Sequence, residues 1–283
     1  MTSTSPAPTS GPDGATLAGV ALAAGAGTRL RPLTTLRPKA LCPVANVALL
    51  THALDRLRPH TGPGGLAVNA HHMAEQIVAA LVGRVLVAVE RPEALGTAGA
   101  LGNLRGWLDG RDVLVTNADS YLPAGLDALV AGWDHERCRL LVVPTTGPGD
   151  FVDADGPVRY VGACLLPWRV IAPLAPVPTG LYEVVWREEH AAGRLDLVRT
   201  DGVAIDCGTP ADYLRANLHA SGGRSVVGAG ATVDGRIERC VVWDGAHVAH
   251  DEHLVACIRA GTRAEPLTVS TAVGDHAPDT ISR

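Results

Sequence analysis

The chain has 283 residues, 47% hydrophobic and 19% charged, enough for one large domain with a small appendage and too apolar for disorder over most of its length. Its formal net charge of -5 argues against a nucleic-acid partner, because phosphate-backbone binding needs a basic face; a local positive cluster could still hold a small anion. Six scattered cysteines (Cys42, Cys138, Cys164, Cys207, Cys240, Cys257) with no CxxC pair suit reduced thiols. With no signal-like start and no apolar run of spanning length, they lead to the expectation of a cytoplasmic protein with no membrane partner.

Residues 1–15, rich in Ser, Thr, Pro and Gly, read as a disordered tail. Gly19 to Ala24 (GVALAA) has the continuous apolar character of a buried parallel strand and runs into a glycine-rich loop. Helical periodicity over 48–58 is followed by a strand over 65–69, a helix over 73–82 and a strand over 84–90. A helix over 98–108 leads to a strand over 112–116 that ends in NADS. A helix over 126–133 and a strand over 139–144 follow. Such alternation implies βαβ units in a mostly parallel sheet, with ligands at the carboxyl ends of its strands.

The rhythm changes near Gly222. Val227, Val233, Val242, Val248 and Leu254 recur at six-residue steps with one break, among glycines and other small residues. That spacing resembles the hexapeptide repeat of a left-handed parallel β-helix. About two coils are too few to stand alone, so the element must pack on the main domain or on a partner subunit, as in a homo-oligomer. Trp243 reads as packing within it. The expected organisation is therefore a tail at 1–15, a main domain at 16–221, the repeat element at 222–265 and a loose end at 266–283.

The chemistry concentrates in Leu22 to Pro43, LAAGAGTRLRPLTTLRPKALCP. Ala24, Gly25, Ala26, Gly27 and Thr28 form a loop whose backbone N–H groups can turn toward a polyphosphate. Of the 24 Lys plus Arg, one is lysine, Lys39, which suggests a position needing a compact ammonium. The loop has no Gly-Lys-Ser/Thr and so is no Walker A. Leu30 stands where a dinucleotide fingerprint needs its third glycine.

The full string resembles the G-x-G-T-R-L-x-P-L-T…P-K-x-L signature of the sugar-nucleotide pyrophosphorylase (nucleotidyl transferase) family, and is closest in look to mannose-1-phosphate guanylyltransferases. LGTAGAL (Leu95 to Leu101), TNAD (Thr116 to Asp119), YVGACLLP (Tyr160 to Pro167) and AIDCGTPADYLRAN (Ala204 to Asn217) match further family segments in order. The resemblance implies an α/β fold: a Rossmann-like three-layer nucleotidyltransferase domain with a short C-terminal hexapeptide β-helix element. It also implies that an NTP and a sugar 1-phosphate form an NDP-sugar and pyrophosphate, with Mg²⁺ as cofactor. Arg29 and Lys39 would be catalytic and Asp119 and Asp206 would bind the metal. Gly96 and Thr97 would join the glycine loop at the nucleotide, while Gly162, Glu183 and Arg159 would face the sugar phosphate.

Several readings stay open. Asp119 could be a helix cap, Asp206 a turn residue, and Glu183 a solvated helix residue. His71 and His72 read as structural, at the start of a helix. Relatives carry a Glu-Lys-Pro segment whose lysine binds the sugar phosphate, but Asp150 to Ala163 contains no lysine; Arg159 is the stand-in. The alternative to an enzyme is a regulator that binds nucleotide sugar without turnover. For substrates, GTP with mannose 1-phosphate comes first. UTP or dTTP with glucose 1-phosphate comes next, and an N-acetylmuramate-type or heptose phosphate is also open.

Overall fold

The computed structural model describes residues 17–271, so the expectations for 1–15 and for the chain beyond 271 lie outside the described residues. Seven strands form its central sheet: β1 (Leu17–Leu22), β2 (Thr61–Ala70), β3 (Leu86–Val89), β4 (Val113–Asn117), β5 (Cys138–Pro144), β6 (Gly156–Leu166) and β7 (Leu195–Arg199). Their spatial order is β7-β5-β6-β4-β1-β2-β3, and the short strand Phe151–Asp153 adds a hairpin to β6. The sheet is parallel except for β6, which runs antiparallel to both neighbours. The strand order reverses at β1, so the crevice beyond the carboxyl ends of β1 and β4 is where such a sheet binds ligands.

Side-chain alternation builds a core on each face. Ala21 and Leu114 face helices α1 (Leu49–Leu57) and α2 (Ala74–Leu81), packing with Leu50, Leu54, Leu57 and Ile77. Ala18, Val20 and Val115 face α3 (Gly96–Leu108), packing with Leu101, Leu104 and Leu108. Each such leucine, removed from water, contributes about 1.5–3 kcal/mol. Helix α3 carries glycines at 96, 99 and 102. A Cβ at Gly99 would lie 2.1 Å from the Val177 carbonyl oxygen and one at Gly102 2.5 Å from the Ala175 carbonyl, so the 175–179 chain runs directly against the helix.

Helix α4 (Pro210–Ala220) opens with a proline in its first turn and a Thr209 cap, whose hydroxyl oxygen accepts the Asp212 N–H. Behind it the chain winds into a parallel β-helix. Val226–Val227 pairs with Val241–Val242, Thr232–Val233 with His247–Val248, and Arg236–Glu238 with His253–Val255. Val242 and Val248 point inward as the six-residue spacing predicts, but Val227 stands 40% exposed and Val226 is buried in its place. The expectation of loose chain from 266 is corrected: Pro266–Ser270 is a strand, antiparallel to Cys257–Gly261. Leu267 and Val269 alternate there, and each packs on the core beneath. That core joins the β-helix to the main domain through Trp243, Ile258, Tyr213, Leu30 and Leu33, so the small element is supported by its own chain.

The helix expected over 126–133 shortens to Asp127–Val130, because the chain leaves the helix at Ala131, with ψ 126, and turns left-handed at Gly132. The six cysteines are free and buried. Among the described residues no helix is long and apolar enough to cross a membrane.

Candidate active site

Three chain segments meet at the switch point. Beyond β1, residues 23–27 form the glycine loop, and its first amide is anchored because Ala23 N–H donates to Asn69 Oδ1 at 2.7 Å. Gly27 then takes φ +59, a left-handed turn that launches the short helical turn Thr28–Leu30. A Cβ on Gly27 would sit 2.9 Å from the Thr34 side chain and 3.0 Å from Lys39 Cβ, so the glycine lets the two arms of the loop close on each other. Thr34 secures that closure by donating to the Gly27 carbonyl at 2.9 Å.

The second segment follows β4. Ala118 N–H donates to the Leu22 carbonyl at 2.9 Å, which places Asp119 beside the glycine loop. The third segment is Ile205–Asp206, paired antiparallel with Ser120–Tyr121 so that Asp206 stands opposite Ser120. Two carboxylates distant in sequence thereby share one site.

Lys39 lies between them. Its Nζ donates to Asp119 Oδ2 at 2.9 Å and to Asp206 Oδ1 at 3.0 Å. Arg29 completes the cluster, with Nη2 3.1 Å from Asp206 Oδ2. Lys39 is 6% exposed. Burial pulls its pKa down, but the charges and hydrogen bonds of Asp119 and Asp206 outweigh burial and the net shift is upward. For Asp206 burial works against ionisation, yet Lys39 and then Arg29 hold its pKa below the ordinary value. Lys39 and Asp206 are therefore both charged near neutral pH. A cleft of about 160 Å³ opens here, lined among others by Gly25, Gly27, Thr28, Arg29, Lys39, Asp119 and Gly208. The Gly208 backbone passes close to this arginine: a Cβ there would lie 2.7 Å from Arg29 Nη2, the free end of an exposed side chain.

The donor set suits a hard cation. Both Asp119 and Asp206 reach a single ammonium and both are partly open to the cleft, 40% and 55% exposed at the side chain. Among the described residues no group of three or more His, Cys, Asp or Glu could hold a metal by itself. Two such carboxylates could hold a divalent cation together with substrate phosphates.

The other predicted residues scatter more widely. Ala24 is buried and Ala26 exposed, and neither lines the cleft. Gly96 and Thr97 begin α3, outside the cleft lining. The Thr97 hydroxyl oxygen accepts the Leu181 N–H at 2.7 Å, and a Cβ on Gly96 would meet the Thr179 carbonyl oxygen at 2.6 Å. Gly162, at φ +88, lies under the Asn117 side chain, 3.1 Å from where its own Cβ would be. Glu183 is exposed on the helical turn Tyr182–Trp186, with its carboxylate against Gly180. Arg159 is exposed on β6 and makes no ion pair among the described residues. His71 and His72 fall in the turn before α2, not in the helix; the His71 Nδ1 lies 3.0 Å from the Glu90 carbonyl oxygen, a structural contact.

Sequence reasoning missed two buried supports. Glu90, 1% exposed, accepts from Asn69 Nδ2 and from Leu95 N–H, each at 2.8 Å. A buried carboxylate is costly unless hydrogen-bonded, and here it ties the glycine loop, through Asn69, to the turn that begins α3. Its signal was positional: Asn69 and Glu90 both stand at strand ends facing the ligand edge. Arg56 on α1 is 8% exposed and donates to Thr116 Oγ1 at 3.2 Å and to the Asn117 carbonyl at 3.3 Å, directly beneath the Asp119 turn. Burial lowers its pKa to about 10. Nothing in its helical spacing distinguishes it from a surface arginine.

The family model for nucleotidyl transferases matches residues 18–146. The chain is 35% identical over 231 residues to the N-acetylmuramate alpha-1-phosphate uridylyltransferase of Caulobacter vibrioides, covering 69% of this chain and 93% of that protein. It is also 35% identical over 115 residues to the mannose-1-phosphate guanylyltransferase of Mycobacterium tuberculosis, 39% of this chain and 32% of that protein. The solved structure titled mannose-1-phosphate geranyltransferase, from Thermus thermophilus, superposes with a TM-score of 0.65 at 20% identity, covering 90% of this chain and 95% of that one, and so shares the fold. With a sheet that reverses at β1 and a relative matched over nearly its whole length, the chain belongs to the nucleotidyl transferase family as a sugar-1-phosphate nucleotidyltransferase.

Proposed function

We propose that the chain transfers uridylyl from UTP to an N-acetylmuramate-type sugar 1-phosphate at the Lys39, Arg29, Asp119 and Asp206 cluster. The observation that carries the site is Lys39 held between two carboxylates at the switch point of the sheet. The choice of substrates rests on likeness to the Caulobacter protein across 93% of its length. GTP with mannose 1-phosphate is the second reading, supported by the LGTAGAL segment and by the shorter match to the mycobacterial enzyme.

Sugar-phosphate oxygen attacks the α-phosphorus of the NTP while pyrophosphate leaves. The nucleophile is already ionised, so no general base is needed, and catalysis consists of positioning and charge neutralisation. The glycine loop presents backbone N–H groups to the triphosphate, and Arg29 neutralises the departing pyrophosphate. Lys39 stabilises charge at the α-phosphate. Asp119 and Asp206 would hold Mg²⁺, which supplies further neutralisation of phosphate charge. On the acceptor side Arg159, near Gly162, takes the place of the absent lysine, and Glu183 faces a sugar hydroxyl.

A panel of the four common NTPs against several sugar 1-phosphates, read by pyrophosphate release, tests this reading. The expected result is the fastest turnover with UTP and N-acetylmuramate 1-phosphate. A preference for GTP and mannose 1-phosphate would support the second reading. Nucleotide-sugar binding without turnover on any pair would support a regulator.

A further inference from the structure

The cleft takes none of its lining from residues 222–271, yet the β-helix holds the arm of the loop that carries Lys39, directly on one side and through α4 on the other. On the amino side, two residues before Lys39, the Arg37 guanidinium stacks on the Trp243 ring, 4.4 Å from its centroid. The same guanidinium forks onto Asp244, with Nη1 3.2 Å from Oδ1 and Nη2 3.4 Å from Oδ2. On the carboxyl side, four residues after Lys39, the Pro43 carbonyl accepts the Tyr213 hydroxyl, and the Tyr213 oxygen accepts the Trp243 Nε1–H at 3.0 Å. Asn217 strengthens this side by accepting the Ala45 N–H at 3.0 Å and donating to the Pro43 carbonyl at 3.3 Å. Both grips converge on Trp243, which is 2% exposed.

We propose that the C-terminal β-helix is a positioning part of the active site, with Arg37, Trp243 and Asp244 acting as positioning residues that hold Lys39 between its carboxylates. The arm between the grips is short, with Pro38 and the helical turn Lys39–Leu41, so little slack separates the clamp from the ammonium. A buried ammonium keeps its geometry only if its backbone is fixed, and small displacements of a charge-neutralising group are costly to catalysis. A β-helix that merely completed a core could present any apolar residue toward α4. It would not need a ring and a carboxylate placed to take the arginine of the catalytic arm. The inference rests on Lys39 serving the reaction as proposed above.

Lys39 is the only lysine in the chain, so an isotope label at the lysine Cε yields one side-chain resonance that reports its surroundings directly. The variants are Asp244→Asn, which alters a half-exposed side chain, and Arg37→Ala. With folding verified by thermal unfolding, each is expected to move the Lys39 resonance toward that of a free lysine and to lower kcat about tenfold with little change in KM for the NTP. Arg37→Lys, which keeps the charge and part of the stacking, is expected to recover part of both. An unmoved Lys39 resonance in Asp244→Asn and Arg37→Ala would overturn the proposal, whatever happens to kcat. So would a moved resonance with unchanged kcat. If Arg37→Ala fails to fold, Asp244→Asn decides alone. The resonance can be read with or without turnover in the wild type, so failure of the clamp and failure of the Lys39 assignment are told apart.

Discussion

The Lys39 ammonium and the Asp119 carboxylate, 80 residues apart in the chain, meet at 2.9 Å with the lysine almost fully buried. That contact exists because β1 and β4 are parallel neighbours and both loops leave from their carboxyl ends. Lys39→Arg keeps the charge but replaces a point donor with a planar fork too large for the gap. It is expected to lower kcat by roughly a hundredfold while the protein stays folded. Pyrophosphate release together with a thermal unfolding curve checks this, and near-normal turnover would show that the lone lysine is incidental.

Removal of divalent metal with EDTA is expected to stop turnover, and added Mg²⁺ to restore it. Asp119→Asn and Asp206→Asn should each raise the Mg²⁺ concentration needed for half-maximal rate, because each removes one of two carboxylate donors. A Mg²⁺ titration of each variant is the measurement. Full activity in EDTA would remove the metal role from both aspartates.

Two glycines of the same helix are expected to respond in opposite directions. Gly99→Ala drives a methyl into the Val177 carbonyl and should destabilise by about 1–3 kcal/mol. Gly106, on α3 with open space around its missing Cβ, should gain roughly 0.5–1 kcal/mol on conversion to alanine. Urea unfolding midpoints compare the two. Equal effects would mean that the 175–179 chain does not press on the helix as described.

Glu189 gives stability a defined acid limit. Hydrogen bonds from Arg169 hold its pKa down to about 2 against the opposing effect of burial, with Arg194 adding its own. An unfolded glutamate titrates near 4.5, so between these values the folded protein binds fewer protons than the unfolded chain. The contribution is complete above about pH 5 and disappears as the pH falls toward 2. It is on the order of 1–3 kcal/mol, reduced by the exposure of Arg194. Unfolding midpoints measured from pH 6 to pH 3 should fall less steeply in Glu189→Gln than in the wild type, since that variant has no proton to take up.

Much of the site was legible in the sequence because its residues sit in short motifs at the ends of apolar runs. Gly27, Arg29, Lys39, Asp119 and Asp206 are of this kind, and the structure gathers Arg29, Lys39 and the two aspartates into one cluster. The supports were not legible. Arg56, Arg37 and Asp244 act across long chain separations that only the folded topology closes, and Asn69 and Glu90 showed no more than their place at strand ends. The strand at 266–270 escaped notice because Leu267 and Val269 are too few to make a periodic signal. Val227 misled because one residue of register in a β-helix exchanges inside for outside.

The most direct measurement follows the α-phosphorus itself. UTP labelled at that atom is incubated with N-acetylmuramate 1-phosphate and Mg²⁺, and the products are separated. The label is expected to enter a UDP-sugar, the released pyrophosphate to be unlabelled, and Lys39→Arg to slow the transfer by roughly a hundredfold. Label remaining in UTP under every sugar phosphate tried, or transfer unaffected by Lys39→Arg, would contradict this expectation.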